Sequence, residues 1–543
     1  MRLRKIMLVN RQNKSFHILL LLFIFIFPLC SYGTTRFADG TDGQKSEDTI
    51  RQVCFDEMRF IIDRIENTYI SGRRGLDDEE WNRRVATVYD KLQNFFDNGM
   101  NGYYVYVWRY LNLLKSDAHF RFPDDGMFNR WGYFKETDNI FPLWVQTWKD
   151  GSVYNVKDYR GIIPQYAQII SINGHSAKEL ALANRAIAPG EKANSMAMMN
   201  AKYETDPVYW PNFANFLFME GIGSPFQVVY SLPNSSRPDT VILRTITRAE
   251  KSKLFKKSGD EDRIKPELGL NRKPIEYKNA GNGIGVLSIN SFWGGRMIPM
   301  LLFGKDWRYK RLLRRAMRRI DRDNIKNLVI DVSLNSGGMT ENVYYTLNYF
   351  TDEPIDMNAV YRITDESRER LQTNISRSPH IAKDDRKYLA EYIGGIKSGT
   401  VFCTDTVCDL KYRPDHPKHG FRGNVYVLTG PITYSAGQMF ARYCQTLKIG
   451  ITAGQHCGGY TEISTGNNAK ITLPQLSKLE FEIPFGITRI CKEDAPYDYP
   501  PVDLPIDHPF DEWLKRENNT LNRLIDMIRS RAMQNQILHS ENQ

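Results

Sequence analysis

Four short segments carry residue types that could do chemistry. In Thr429-Gly430-Pro431-Ile432-Thr433-Tyr434-Ser435-Ala436-Gly437 an apolar, strand-like run ends in a turn and a helix-like run begins at Ser435. A serine there is ordinarily an N-cap. It can also be a nucleophile, with the Ala436 N–H and the positive helix end facing the developing negative charge. In Asp331-Val332-Ser333-Leu334-Asn335-Ser336-Gly337-Gly338 paired glycines follow a second apolar run. Without Cβ atoms, their N–H groups can line a cavity and hold an oxyanion. The others are the glycine-rich Gly454-Gln455-His456-Cys457-Gly458-Gly459-Tyr460 and, far upstream, Lys115-Ser116-Asp117-Ala118-His119-Phe120-Arg121.

A serine hydroxyl near neutral pH needs a base titrating near that pH, and histidine is the usual choice. Beyond residue 33 the histidines are His119, His175, His380, His416, His419, His456, His508 and His539. His416 and His419 sit among prolines and a lysine, and His539 lies in a polar tail. His119, His175, His380, His456 and His508 remain open as the base.

These segments need elements to bring them together. From about Ser46, Cys54, Met58, Ile61, Ile62, Ile65 and Tyr69 recur at three- and four-residue steps, an amphipathic helix. Trp81, Val85, Val88, Leu92 and Phe95 repeat the pattern up to a cap at Gly99, and a third helix is expected over 103–114. From Phe141 to Arg248 strand signals dominate. Gln168-Ile169-Ile170-Ser171-Ile172 runs into the turn pair Asn173-Gly174, Ser176 caps a short helix, and Phe226–Leu232 with Thr240–Thr247 reads as a hairpin. From Gly283 strands at 285–289, 328–332 and 425–428 alternate with helices near 307–320, 341–350 and 435–447, which implies a layered α/β core. The basic run from Arg308 to Arg319 keeps its apolar residues on one side and reads as a solvated face.

The N-terminus has its own logic. Ile18 to Leu29 is an unbroken apolar run behind Arg2, Arg4, Lys5, Arg11 and Lys14. It is too short to span a bilayer, and Ser31 and Gly33 resemble a cleavage site, so residues 1–33 read as a secretory signal peptide. Cys30 is an alternative lipidation site. The chain of 543 residues carries a formal charge of +10, and the first 33 contribute five cations and no acid. The rest, near about +5, argues for no nucleic-acid partner. In an oxidising compartment Cys403 and Cys408 are close enough for a loop disulfide. No cysteine or histidine spacing suits zinc, so no metal or cofactor is expected.

Taken together, the four segments resemble the carboxy-terminal processing (tail-specific) serine peptidases and the tricorn protease core, over roughly His119 to Asp507. Ile330-Asp331-Val332-Ser333-Leu334-Asn335-Ser336-Gly337-Gly338 resembles that family's glycine-pair motif. Tyr434-Ser435-Ala436 resembles its nucleophile turn, and Gly454 to Gly459 its downstream loop. Ala167-Gln168-Ile169-Ile170-Ser171-Ile172-Asn173-Gly174 resembles a PDZ segment, a module that binds extended peptides at a sheet edge. The resemblance implies a ClpP/crotonase-like α/β catalytic core with a PDZ-like β-rich module and an N-terminal helical region. The implied divisions are 1–33, 46–130, 135–250, 275–512 and a C-terminal helix and tail at 513–543.

Within the family, Tyr460 stands where the serine–lysine members have their lysine, so the non-lysine, tricorn-like branch is implied. In that branch His119 is the base for Ser435, oriented by a downstream acid. Glu493 has the best position, and Asp494 and Glu462 compete. Gly337, Gly338 and Ala436 are the implied oxyanion hole. The expected protein is an exported serine endopeptidase, periplasmic or extracellular, acting on extended or unfolded polypeptide. Membrane attachment is expected only through a lipidated Cys30. Two other readings stand beside it: a Ser435–Asp503–His508 esterase, and a non-catalytic peptide- or ligand-binding relative, suggested by the missing lysine and by Ala118 in place of a helper serine.

Overall fold

The computed structural model describes residues 47–73, 75–95, 109–114, 117–120, 135–188, 190–191, 197, 212–233, 235, 237–260, 272–295, 306–378, 381–407, 410–415, 417–473 and 480–541. The proposed signal peptide, Cys30, Gly99, Cys408 and residues 103–108 lie outside these. The chain divides into residues 1–54, of which 47–54 are the described part, and residues 55–543, which hold everything else below.

Helix α1 (Glu47–Thr68) and helix α2 (Asp78–Phe95) form where the apolar stripes required them. Met58, Ile61, Ile65 and Tyr69 are buried from the first stripe, and Trp81, Val88 and Leu92 from the second. Asp77 caps α2, its Oδ1 accepting the Glu80 N–H at 2.8 Å. The described end of the expected third helix tightens into a 3₁₀ turn, Leu111–Leu114.

A curved antiparallel sheet follows: β1 (Leu143–Thr147), β2 (Val153–Asp158), β3 (Gln168–Ile172), β4 (Phe226–Ser231) and β5 (Asp239–Leu243), in that spatial order. Asn173 (φ 48°) and Gly174 (φ 80°) make the tight turn after β3. Helix α3 (Ala177–Ala186) starts at Ser176, whose hydroxyl accepts the Glu179 N–H. Thr240–Thr247 is not one strand. It breaks after Leu243, and Ile246–Thr247 turns away to pair with Asn139–Ile140.

The core is a six-stranded sheet: β6 (Ile275–Gly281), β7 (Ile284–Ile289), β8 (Asn327–Asp331), β9 (Asn424–Thr429), β10 (Ile451–Gly454) and β11 (Leu504–Pro505), in that order. All are parallel except the edge strand β6. One face packs helices α4 (Trp307–Arg322), α5 (Thr340–Leu347) and α6 (Ala436–Thr446) through Leu287, Leu313, Ile330, Val343, Val427 and Phe440. The other packs α7 (Thr520–Glu541) through Val286, Val329, Leu428, Leu524 and Ile528. Parallel strands covered on both faces read as apolar runs, and the interiors of β8 (Leu328–Ile330) and β9 (Val425–Leu428) do. Residues 351–423 add helices Asp365–Arg377 and Lys383–Gly395, and part of a small four-stranded sheet completed by Glu462–Ser464 and Gly486–Arg489.

Cys444 and Cys457 are buried against this core, and burial pushes the Cys457 thiol up to about 12 and that of Cys444 higher still. The thiolate is the reactive form. Iodoacetamide at pH 8 is therefore expected to leave both unmodified in the folded protein. The partly exposed Cys491 reacts first, joined by Cys403 once the protein is reduced, and peptide mass spectrometry reads the order.

Candidate active site

Parallel pairing decides where the motifs meet. β8 and β9 run in register, Asp331 beside Leu428, so the loops leaving both strands emerge at the same carboxyl edge of the sheet. One loop carries the paired glycines and the other carries Ser435.

Asn335, fully buried, ties these loops together. Its Nδ2 donates to the Ile289 carbonyl at 2.8 Å, its Oδ1 accepts the Gly337 N–H at 2.9 Å, and its carbonyl accepts the Tyr434 N–H at 2.9 Å. Thr433 Oγ1 donates to the Val332 carbonyl at 2.8 Å. The turn at Ser435 is thus held from below by buried hydrogen bonds.

Ser435 itself has φ 52° and ψ −121°, an unusual conformation for a residue with a Cβ. The Gly437 N–H closes the turn on the Tyr434 carbonyl at 2.9 Å. Such backbone strain costs about 1–3 kcal/mol and persists only where the surroundings over-determine it. Although Ser435 opens α6, its side chain makes no capping bond. Its Oγ lies 2.9 Å from His119 Nε2 instead.

His119 reaches this position from a short segment whose own fixing is dense. Its ring stacks on that of Tyr434, centroids 5.2 Å apart, and its carbonyl accepts Asn468 Nδ2 at 2.9 Å. Its Nδ1 is 2.9 Å from Asp117 Oδ1, which also accepts the His119 backbone N–H at 2.8 Å. Asp117 is 2% exposed, and its Oδ2 accepts the Tyr69 hydroxyl at 3.1 Å. The Tyr434 hydroxyl donates to Asp117 Oδ1 at 3.4 Å and accepts the Ala118 N–H at 3.2 Å. Serine, imidazole and carboxylate therefore form one continuous chain.

The acid in that chain is Asp117 and not Glu493. Glu493 stands on the surface, where Cys491 Sγ donates to it at 3.0 Å; that bond is the main reason its carboxyl is held below the usual range. The competing acids are also engaged elsewhere. Asp494 grips Arg442 in a two-pronged pair, and Glu462 pairs with Arg489. A sequence signal for Asp117 did exist: an aspartate two residues before the base can accept its backbone N–H and its ring together.

Of the glycine pair, Gly337 does not offer its N–H, which is spent on Asn335. Its Cα packs against the serine, and a Cβ there would lie 3.0 Å from Ser435 Cβ. Gly338 is exposed and pairs with Phe292 so that its own N–H turns outward; among the described residues that N–H meets no acceptor, nor does that of Ala436 at the head of α6. The two free donors are therefore Gly338 and Ala436.

The remaining candidates lie apart. His456 Nδ1 meets the Pro500 carbonyl at 3.2 Å, and the Tyr460 carbonyl accepts Gln438 Nε2. Asp503 accepts the Thr452 N–H at 2.7 Å, while His508 Nε2 meets the Glu517 carbonyl at 2.7 Å. A Ser435–Asp503–His508 arrangement is not assembled. Among the described residues no group of three metal-ligating side chains converges, and no helix is long and apolar enough to cross a membrane.

Comparison with known proteins adds the class. The family model described as peptidase family S41 matches residues 283–482, from the start of β7 past Ser435 to Glu482. A solved structure of mature CPAF complexed with lactacystin is 13% identical, covering 89% of this chain and 99% of that one, at a TM-score of 0.55. A second structure of mature CPAF is also 13% identical, covering 86% and 96%, at 0.51. At such identity the likeness is one of fold. No curated protein matches the sequence. The protein is a serine-type peptidase. The match over residues 283–482 supports the S41, or carboxy-terminal processing, peptidase family for the part of the chain that holds Ser435.

Proposed function

We propose that the chain is an exported serine endopeptidase that cleaves extended or unfolded polypeptide with Ser435 as nucleophile, His119 as base and Asp117 as the orienting acid. The observation that carries this reading is the 2.9 Å approach of His119 Nε2 to Ser435 Oγ. His119 takes the hydroxyl proton as Ser435 attacks the peptide carbonyl, and Asp117 stabilises the imidazolium that forms. The Gly338 and Ala436 N–H groups receive the oxyanion. His119 then protonates the leaving amine, and water, deprotonated by the same ring, releases the acyl group.

The substrate form follows from the neighbourhood. Trp144 and Val156 of the antiparallel sheet pack with Ile432 on the loop that carries Ser435, and Leu334 joins them. A peptide bond reaching Ser435 must pass beside that sheet, which we read as a PDZ-like module on a ClpP/crotonase-like core. Extended chain fits such a passage and a folded domain does not. The basic, then apolar, N-terminus supports export.

A fluorophosphonate probe tests the assignment. Labelling of the full chain is expected, lost in Ser435→Ala and His119→Ala and kept in His508→Ala. A correctly folded protein that takes no label sinks the proposal, and loss of label in His508→Ala favours the esterase. Digestion of a reduced, carboxymethylated protein, with its native form spared, checks the substrate form.

A further inference from the structure

Among the described residues the core sheet ends on an open edge. Strand β6 pairs with β7 and, among the described residues, with no strand on its other side. The Asn290 N–H donates to the Pro274 carbonyl at 2.9 Å, so Glu276 and Lys278 share that hydrogen-bonded phase. Ile275 and Tyr277 therefore turn their N–H and C=O groups outward. A groove of about 880 Å³ runs along this edge between α4 and α7.

The two walls differ in chemistry. Ile275 and Tyr277 face the α4 side, where Arg315 and Arg319 line the groove and the Arg319 guanidinium lies 5.2 Å over the Tyr277 ring. Arg311, Arg314, Arg315 and Arg318 are exposed, and among the described residues none of them has a carboxylate in ion-pairing range. Like charges three and four residues apart on one helix repel. The α7 side presents Leu521 and Ile525 beside Asn522 and Asp526, with Glu276 and Lys278 of β6 on the same side, and Arg529 closes the far end on the Ala280 carbonyl at 3.0 Å.

We infer that this edge receives an extended segment of a partner protein with acidic residues at alternate positions and apolar residues between them. Such a segment adds as a seventh strand. The pleat sends its acidic side chains to the arginines of α4 and its apolar ones to Leu521 and Ile525. A second copy of this chain is the wrong occupant, because its own edge would bring Lys278 and the arginines against their like.

The test uses the full-length Ser435→Ala protein, so that the probe is not consumed, and a fluorescent decapeptide alternating glutamate and valine. Anisotropy is expected to report binding that falls at least about tenfold in Arg315→Glu/Arg319→Glu and weakens as salt rises. Two further peptides carry N-methyl groups at alternate residues, one in each phase. Strand addition predicts that one phase binds like the parent and the other does not. Equal binding of both phases means charge attraction without a strand and overturns the proposal. Undiminished binding to the arginine variant, with circular dichroism unchanged, places the peptide in the catalytic cleft and overturns it as well. So does no binding at all.

Discussion

Asp117→Asn is expected to lower kcat by about 10³–10⁴ while KM changes little. The carboxylate does two things that an amide cannot do together. It holds His119 Nδ1 as the protonated nitrogen, leaving Nε2 free to accept from Ser435, and it offsets the positive charge that arrives on the ring. An asparagine placed there can present its NH₂ to Nδ1 and trap the opposite tautomer. The Tyr69 and Tyr434 hydroxyls can each rotate to donate or accept, so the His119 backbone N–H, which Oδ1 accepts in the native site, is the one bond lost, and the fold survives with a lower melting temperature. Steady-state kinetics beside a thermal melt separate the two effects. Glu493→Gln is the matched comparison, and near-normal kcat is expected there. A large loss in Glu493→Gln with none in Asp117→Asn would falsify the assignment of the acid.

Gly338→Ala is expected to cost about 10²–10³ in kcat, the range seen when one oxyanion donor is lost. Gly338 has φ +140°, and a Cβ there would sit 2.5 Å from the carbonyl carbon of Phe292, which is backbone and cannot swing aside. The strand pairing between Phe292 and Gly338 must open, and the outward N–H moves with it. The nucleophile turn is anchored separately through Asn335 and Thr433, so the serine stays close to its base. Fluorophosphonate labelling is expected to slow with turnover while the His119–Ser435 pair persists. Gly395→Ala, at a helix end with open space around it, should leave both rates alone.

The sequence reading reached some of this and missed the rest for physical reasons. Strands β7, β8 and β9 are short apolar runs buried on both faces, so composition alone announces them. Ser435 and the glycine pair follow from strand–turn–helix punctuation. Strand β6 escaped notice because Ile275–Gly281 is an edge, mostly exposed, with Glu276, Lys278 and Asn279 breaking any apolar run. The small sheet built by Val360–Arg362, Val401–Cys403, Glu462–Ser464 and Gly486–Arg489 has strands of only three or four residues from scattered places, below what periodicity can register. The acid was missed differently. Asp117 is legible only as a local Asx-type turn two residues before His119, a weaker signal than the family position that points to Glu493. Likewise, counting Gly337 as a donor ignored that Asn335, two residues earlier, can take its N–H.

The separation of His119 from Ser435 along the chain has a consequence for the protein's biography. During synthesis the imidazole is made hundreds of residues before the hydroxyl it activates, and Asn468, which steadies it, comes later still. A nascent chain that has not reached Ser435 therefore lacks the hydroxyl that the proposed base would activate. The proposed pair can form only once the chain has been made past Asn468 and the two distant segments have met.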